Sequence, residues 1–282
     1  MNNDLLKSHA KSFYWASFFL SKETYLKCST LYNFCRTLDD IADNSDELGN
    51  KKLNFLKFKN DFINKIFDNL IIKSMWSIIE SENISEKVVI DLFDGVETDL
   101  NESVKIRSKK NLLVYSYRVA GTVGLMMSKI LKVNNKESLK GAIDLGIAMQ
   151  LTNIARDVVE DKNRNREYID YNFSSIKEII YDAELFYKSS FFAIGSIPIR
   201  SRFSVIVARR IYKKIGDYIL KEENIENYNK AAKIYVPTSA KIIETILSIL
   251  DFLRLLFVKN ISHYNNENHT ILNQEINLNE RI

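Results

Sequence analysis

Residues that break helices are scarce in this sequence, and this scarcity constrains the fold more than any other feature. Only 2 prolines and 8 glycines occur among 282 residues. Folds with many short strands need both residues for their tight turns, whereas long helices exclude them. Apolar residues also recur at the spacing of one helix face almost throughout the chain. The sequence therefore predicts an all-α fold.

The apolar spacing predicts consecutive helices with no linker or low-complexity tract between them. We expect one catalytic domain over residues 1–262 and a polar, frayed tail over residues 263–282. Ser21 can cap the second helix, and Pro198 and Pro237 fall at predicted breaks. The predicted helices cover residues 4–19, 23–43, 51–70, 72–81, 85–103, 109–131, 137–162, 174–194, 200–222 and 238–260.

Charge and cysteine content narrow the class of protein. The formal net charge is +4, and the basic residues are spread along the chain, so we do not expect nucleic-acid binding. A mild positive charge suits anionic substrates or an anionic membrane surface. Cys28 and Cys35 form no CxxC pair and are interpreted as reduced core thiols. The N-terminus lacks a signal pattern, which favours a cytoplasmic protein, with peripheral contact to the inner face of the membrane as an open addition.

The most apolar stretch, residues 242–258, has two interpretations. Its charged residues, among them Glu244, Asp251 and Arg254, disfavour a transmembrane span. It can be a core helix, or it can lie on a membrane surface with its apolar face in the lipid.

A first acidic segment ends a predicted apolar helix, in the stretch YNFCRTLDDIAD (32–43). Asp39 and Asp43 are four residues apart, so both lie on one helix face, where like charges destabilise the helix. The C-terminal end of the helix dipole disfavours them further. A bound divalent cation would remove both penalties, and Mg²⁺ is the natural candidate because it prefers oxygen ligands. Arg36, one turn earlier, can pair with Asp39 or contact a phosphate.

A second acidic segment, QLTNIARDVVED (150–161), repeats this arrangement. Asp157 and Asp161 are again four residues apart, and Asn153 and Gln150 extend the same face by one further turn each. Two such faces across a cavity could hold several Mg²⁺ ions, with Mn²⁺ as an alternative, and the ions would bridge to a diphosphate. Without cations, four carboxylates would repel that diphosphate.

Three sequence stretches carry a family resemblance: YNFCRTLDDIAD (32–43), YSYRVAGTVGLM (115–126) and QLTNIARDVVED (150–161). With them the chain resembles the squalene/phytoene synthase family over nearly its whole length, and its bacterial phytoene synthases most. Weaker matches are HAKSF (9–13), REY (166–168) and KIYVP (233–237). The resemblance implies a single-domain isoprenoid-synthase helical bundle around a central cavity.

The resemblance also implies roles for individual residues, carried over by position. The metal-binding candidates are Asp39, Asp43, Asn153, Asp157 and Asp161, with Asp40 and Glu160 nearby. Arg36 and Arg156 are similar to the motif arginines that help to bind diphosphate. Further positions that match the lining of the family's site are Ser12, Tyr32, Tyr115, Arg118, Gln150, Arg166, Tyr168 and Tyr235. Glycines inside the middle stretch cost helix stability, which suggests close approach of the backbone to a ligand or to another helix.

The reaction that the resemblance implies is the head-to-head condensation of two prenyl diphosphates through a cyclopropylcarbinyl diphosphate. Ser17 and Ser29 are small where relatives that use C15 substrates carry bulky aromatics, which favours two C20 geranylgeranyl diphosphates and phytoene, with no NADPH. The alternatives are a squalene, hydroxysqualene or dehydrosqualene synthase that uses farnesyl diphosphate, and a non-catalytic assembly factor. No protein nucleophile is needed, so His9, His263 and His269 are interpreted as structural or solvent-exposed.

Overall fold

The computed structural model describes residues 11–44, 46–231, 233–258 and 262–282. Helices dominate these residues, as the sequence predicts. Two segments of other helical type interrupt them, a π-helix at Tyr117–Gly121 and a 3₁₀-helix at Phe192–Ser196, and a further 3₁₀ turn spans Leu278–Glu280. The α-helices are α1 (Lys11–Ser17), α2 (Lys22–Asp43), α3 (Leu48–Ile63), α4 (Leu70–Glu82), α5 (Glu86–Thr98), α6 (Lys109–Ser116), α7 (Thr122–Ile130), α8 (Lys136–Asn163), α9 (Phe173–Ser190), α10 (Ile199–Leu220), α11 (Ile225–Lys230), α12 (Thr238–Leu256) and α13 (Glu267–Asn273).

Several predicted helix boundaries have identifiable local causes. The Ser21 side chain accepts a hydrogen bond from the Thr24 N–H at 3.2 Å, which confirms the predicted cap of α2. Pro198 and Pro237 stand at the N-caps of α10 and α12. The helix predicted over residues 85–103 ends earlier, at Thr98, so Asp99 lies at the C-terminal end of α5.

Helix α8 is the central element of the fold and packs against α7, α9, α10 and the π-helix. Its crossing with α7 and the preceding π-helix is close enough for the backbones to touch. A Cβ added to Gly124 would lie 2.2 Å from the Ala142 carbonyl oxygen, and one added to Gly146 would lie 2.1 Å from the Ala120 oxygen. The glycines of the middle motif are therefore explained by helix packing rather than by approach to a ligand.

A short pair of parallel strands joins two distant parts of the chain. Strand β1 (Val104–Lys105) follows α5, and strand β2 (Arg166–Glu167) follows α8, with Val104 opposite Arg166. This pairing brings the segment after the second acidic motif beside the end of α5. Arg166 and Tyr168 are placed by it.

The C-terminal residues differ from the expectation of a frayed tail. Helix α13 packs against α6, and Asn268 and Leu272 are fully buried. His263 and His269 both contact the buried Asp144 carboxylate of α8, at 2.7 and 2.9 Å. An ionic anchor thus attaches residues 262–282 to the central helix. Both histidines are structural, while His9 lies outside the described residues.

Helix α12 packs one face into the core and leaves the other exposed, so the stretch 242–258 is not a fully buried core helix. One face of α12 is buried through Ala240, Ser248 and Leu255. The opposite face leaves large apolar side chains in solvent, with Leu250 63% and Phe257 at its end 81% exposed. Among the described residues, no helix is long and apolar enough to cross a membrane.

Candidate active site

The first acidic segment lies at the C-terminal end of α2, where its charges are unevenly paired. Asp40 is held by Arg36 at 2.6 Å, so the arginine pairs with Asp40 and not with Asp39. Asp43 receives two guanidinium groups, from Arg164 and Arg166, both at 2.8 Å. Asp39 has no hydrogen-bond or ion-pair partner among the residues that the structure describes.

The second acidic segment forms the C-terminal part of α8. The Arg156 guanidinium donates to both oxygens of Asp157, at 2.9 and 2.5 Å. Lys233 lies 3.4 Å from Asp157 and 2.6 Å from Glu160. Asp161, within the described part of the chain, has no such partner. Each segment therefore retains one uncompensated carboxylate.

Arg164 and Arg166 connect the two segments. Both follow α8 directly, yet both bind Asp43 of α2. Arg164 also reaches back to Glu160 at 3.1 Å, and Arg166 donates to the Asp99 carbonyl at 3.3 Å. The two segments, more than a hundred residues apart in the chain, are therefore joined in one cluster of ion pairs.

Asp99 is the residue on which the rest of the cluster converges. Its carboxylate accepts hydrogen bonds from Tyr115 at 2.8 Å and Tyr168 at 2.6 Å, and the two tyrosine rings stack with centroids 4.8 Å apart. Burial raises the pKa of Asp99, and the nearby Arg166 guanidinium and the two phenol donors oppose that rise. The charge of Asp99 acts on both Asp39 and Asp161.

The two uncompensated carboxylates carry an electrostatic cost in the folded protein. Asp39 remains open to water, but protein atoms crowd the rest of its surroundings, and this desolvation followed by the charge of Asp43 raises its pKa to about 7. Desolvation and the charge of Asp157 likewise raise the pKa of Asp161 to about 7. Both groups would be stabilised by a cation placed between the two segments.

Three of the predicted residues bury a polar atom that has no partner among the described residues. The atoms are Arg36 Nε, Arg118 Nε and Asn153 Oδ1. Buried polar atoms in folded proteins are nearly always hydrogen-bonded. Two donors and one acceptor on three separate helical segments therefore fit a polar ligand with its own oxygens and bound cations.

For the other predicted site residues, the structure gives the exposure of each side chain and some of its electrostatic surroundings. Tyr32 and Gln150 are half-buried on α2 and α8, and Tyr235 is 63% exposed but within electrostatic reach of Arg156. Desolvation raises the pKa of Tyr32 to about 12. Ser12 is half-buried on α1.

Ser17 and Ser29, predicted to determine substrate length, are both buried, at 8% and 9% exposure. Ser17 donates to the Tyr14 carbonyl at 2.7 Å. In the described structure, neither serine has a hydrogen bond or ion pair with the acidic cluster.

Sequence reasoning missed Asp99, Arg164 and Lys233, which all contact the acidic cluster. Asp99 fell inside a helix predicted to run to residue 103, Arg164 follows α8 outside any motif, and Lys233 opens the weaker match KIYVP without being singled out. It also missed Tyr228, whose hydroxyl donates to the Arg156 carbonyl at 2.7 Å and so ties α11 to the end of α8. The signals available in the sequence were an acidic residue and a tyrosine-rich motif. Both lie close to the two segments in the fold but not in the chain, so neither pointed to the site.

The donor set fits Mg²⁺. No three carboxylates of the two segments have oxygens within 4.8 Å of one another in the described structure. That spacing suits sites where each ion takes one or two protein carboxylates and fills its octahedron with phosphate oxygens and water. Among the described residues, Asp39, Asp161 and the Oδ1 of Asn153 are the members of this donor set that lack a hydrogen-bond or ion-pair partner.

Comparisons with known proteins agree with this geometry. The family model described as squalene/phytoene synthase matches residues 6–169. A 15-cis-phytoene synthase of Pantoea ananas is 28% identical over 257 residues, covering 77% of this chain and 83% of that protein. A chloroplastic phytoene synthase of Daucus carota is 27% identical over 278 residues, covering 87% and 68%.

Solved structures share the fold. A crystal structure of a dehydrosqualene synthase in complex with ligand superposes with a TM-score of 0.71 at 24% identity, and covers 89% of this chain and 94% of that one. The match of the family model over more than half of the chain, together with this fold and the two acidic segments, shows that the protein belongs to the squalene/phytoene synthase family.

Proposed function

We propose that the protein is a 15-cis-phytoene synthase of carotenoid biosynthesis. It would condense two geranylgeranyl diphosphates head to head into a cyclopropylcarbinyl (prephytoene) diphosphate and rearrange this to phytoene. Each of the two stages releases one diphosphate and one proton. Membership of the family supports a prenyltransferase, and the names of the similar proteins favour the phytoene product.

One observation carries the proposal: each acidic segment keeps one carboxylate free of ionic partners while the carboxylates around it are paired. Asp40, Asp43, Asp157 and Glu160 each have an arginine or lysine partner, whereas Asp39 and Asp161 have none among the described residues. A purely structural cluster would gain by pairing them too, and Arg166 is near enough to Asp161 for its charge to act on that carboxyl. Carboxylates without ionic partners are free to bind the cations of an entering diphosphate.

The chain's own residues would bind and orient the substrates. Arg36, Arg118 and Arg156 supply guanidinium groups on three segments that can bind diphosphate oxygens as charge develops on the leaving group. Arg164 and Arg166 hold Asp43 in place, and Asp99 fixes Tyr115 and Tyr168 by two short hydrogen bonds. Stacked aromatic faces beside the acidic cluster can also stabilise a carbocation and keep water away.

Mg²⁺ bound by Asp39, Asp43, Asn153, Asp157 and Asp161 would supply charge stabilisation for the departing diphosphate. Phytoene formation needs no reductant, so we propose no NADPH requirement. The proposed location is the cytoplasm, with peripheral contact to the inner membrane face.

The C20 substrate is proposed from Ser17 and Ser29, whose small side chains leave room for a longer tail. The alternative, a synthase that joins two farnesyl diphosphates, keeps the same acidic cluster. Purified protein with Mg²⁺ should convert geranylgeranyl diphosphate to a C40 hydrocarbon without NADPH, detected by mass. Product from farnesyl diphosphate only, or a dependence on NADPH, would contradict the phytoene assignment.

The first test of the site is charge-neutral substitution of the two unpaired carboxylates. Asp39→Asn and Asp161→Asn should each lower turnover at least about 100-fold, since even outer-shell partners of metal sites are worth 10- to 100-fold. Asp61→Asn, a matched change on the surface of α3, should leave turnover unchanged. Wild-type turnover in both site variants would exclude the proposed metal site, and a wild type without any prenyltransferase activity would favour the non-catalytic assembly factor.

A further inference from the structure

A polar cavity separate from the acidic cluster lies between α9, α10, α12 and the 3₁₀-helix Phe192–Ser196. Its volume is about 560 Å³, and six basic and three acidic side chains line it together with Phe191, Phe192 and Leu247. None of these residues belongs to either acidic segment. The excess of basic groups distinguishes this cavity from the acidic cluster and points to an anionic ligand.

Arg209 of α10 stands out in the cavity, because its buried charge has no carboxylate partner among the described residues. It is only 8% exposed, and one nitrogen donates to the Tyr187 carbonyl at 2.7 Å. Its Nε has no partner among the described residues, and burial lowers its pKa. A buried guanidinium with an unused donor is costly unless a ligand or counter-ion meets it.

Two further cations of the cavity, Lys188 and Arg254, lack carboxylate partners in the described structure. Arg254 lies over the rings of Phe191 and Phe192, at 5.2 and 5.3 Å from their centroids. The acidic groups of the cavity are already engaged, because Arg210 pairs with both Glu244 and Asp251 at 2.8 and 2.7 Å.

Lys214 engages the third acid, Asp217, at 2.9 Å, and Lys213 pairs with Glu184 outside the cavity at 2.7 Å. Three positive charges therefore remain available to an incoming anion.

The exposed apolar face of α12 borders this cavity. With about 100° of rotation per residue, the exposed apolar side chains of α12 occupy an arc of about 140°, and Arg254 lies at its edge. These side chains, between 43% and 81% exposed, are Ile242, Ile243, Ile246, Ile249, Leu250, Leu253 and Leu256, with Phe257 at the helix end. Soluble surfaces rarely expose so large an apolar patch without a partner.

We propose that this cavity binds the phosphate of an anionic phospholipid headgroup while the apolar face of α12 lies in the outer part of the same bilayer leaflet. Arg209, Arg254 and Lys188 would contact the phosphate. Their uncompensated charge matches its negative charge, and the continuity of the cavity with an apolar face matches the joined headgroup and acyl chains of a lipid. A free phosphate would use the cations but would leave the apolar face unexplained.

The test is flotation of the purified full-length protein with vesicles of phosphatidylcholine alone or of phosphatidylcholine mixed with phosphatidylglycerol. The wild type should partition more strongly onto the vesicles that contain phosphatidylglycerol. Arg254→Gln and Lys188→Gln should each weaken that partitioning about fivefold, the worth of one basic residue near an anionic surface. Leu250→Ser should weaken binding to both vesicle types by about tenfold, since a leucine side chain leaves the apolar phase.

The matched control is Lys57→Gln on α3, which removes one exposed positive charge far from the cavity residues in the chain and should change partitioning by less than about twofold. Flotation of Arg254→Gln and Lys188→Gln equal to that of Lys57→Gln would overturn the proposal. So would equal wild-type partitioning onto the two vesicle types. Binding of inorganic phosphate that depends on Arg254 and Lys188, without any flotation, would assign the cavity to a soluble anion and overturn the lipid assignment.

Discussion

Asp39 and Asp161 illustrate a conflict between stability and function at the scale of single residues. Their pKa values, both raised to about 7 by desolvation from surrounding protein atoms and by a neighbouring aspartate, mean that the folded state disfavours their charged forms. A raised carboxyl pKa contributes stability at low pH, which is lost as pH rises through the folded value. Above pH 7 the metal-free protein therefore carries two charges that weaken it.

Removing one of these charges should stabilise the protein. Asp39→Asn should raise the melting temperature of the metal-free protein at pH 8 by about 1 °C, because it ends a like-charge contact worth roughly 0.2–0.5 kcal/mol in a protein of this size. The gain should vanish near pH 5.5, where Asp39 is protonated in the wild type. Thermal unfolding in the presence of a chelator, followed by circular dichroism, measures the difference. A melting temperature at pH 8 that is lowered instead would show that the Asp39 charge is stabilising.

At the scale of elements, the crossing of α7 and α8 determines how the site is held. The backbones of α7 and α8 touch at Gly124, and at Gly146 α8 touches the π-helix that carries Arg118. π-Helical turns within α-helices are frequent at functional sites, because the extra residue shifts where side chains point. The strand pair β1–β2 then places Arg166 across from Asp43.

Gly146→Ala should disrupt this crossing. The added methyl group would meet backbone atoms of Ala120 at 2.1 Å and of Gly121 at 3.0 Å, neither of which can move without shifting a helix. We expect a loss of about 1–3 kcal/mol in the free energy of unfolding, the usual cost of overpacking, measured by urea denaturation.

Gly49→Ala provides the matched control for that prediction. Its added Cβ would meet nothing within 4 Å, and Gly49 lies in α3, so stability should rise by up to about 1 kcal/mol. Equal effects of the two substitutions would contradict the packing argument.

At the scale of the whole molecule, the C-terminal segment closes onto the central helix through one buried ionic cluster. Both ring nitrogens of His263 lie within hydrogen-bond distance of oxygen atoms, in Asp144 and Asn265, which favours the charged imidazolium. Burial opposes that charge, but the hydrogen bond and charge of Asp144 outweigh it and raise the pKa of His263. Ser189 and His269 also donate to Asp144, and Glu137 accepts from the backbone N–H of His263.

The docking of this segment should depend on pH. A raised histidine pKa contributes stability that is fully present below the ordinary value of about 6.5 and is lost as pH rises through the folded value. Amides of residues 262–282 should therefore exchange faster relative to the core at pH 9 than at pH 6, after correction for intrinsic rates, as measured by hydrogen-exchange mass spectrometry. His263→Gln should remove most of this dependence. Identical corrected protection in the wild type at the two pH values would refute the anchor.

The sequence by itself determined the helical class, most helix positions and the two acidic segments, because these depend on spacing within ten to forty neighbouring residues. Periodic apolar residues, a serine cap and prolines at helix starts act locally, and the fold confirms them. The family resemblance rests on the same local stretches. Asp39 and Asp161 could be named as a pair, but not distinguished from their neighbours.

Only the tertiary structure decided which charges are compensated and which faces are covered. Asp43 is neutralised by Arg164 and Arg166, and Asp99 gathers Tyr115 and Tyr168, through contacts between segments distant in the chain. The exposure of α12 was also decided by the tertiary structure. Its apolar residues suit a core helix by composition, but they face solvent because the opposite face of the helix packs against the fold. Ion pairing and burial depend on which elements meet, and no local pattern encodes that.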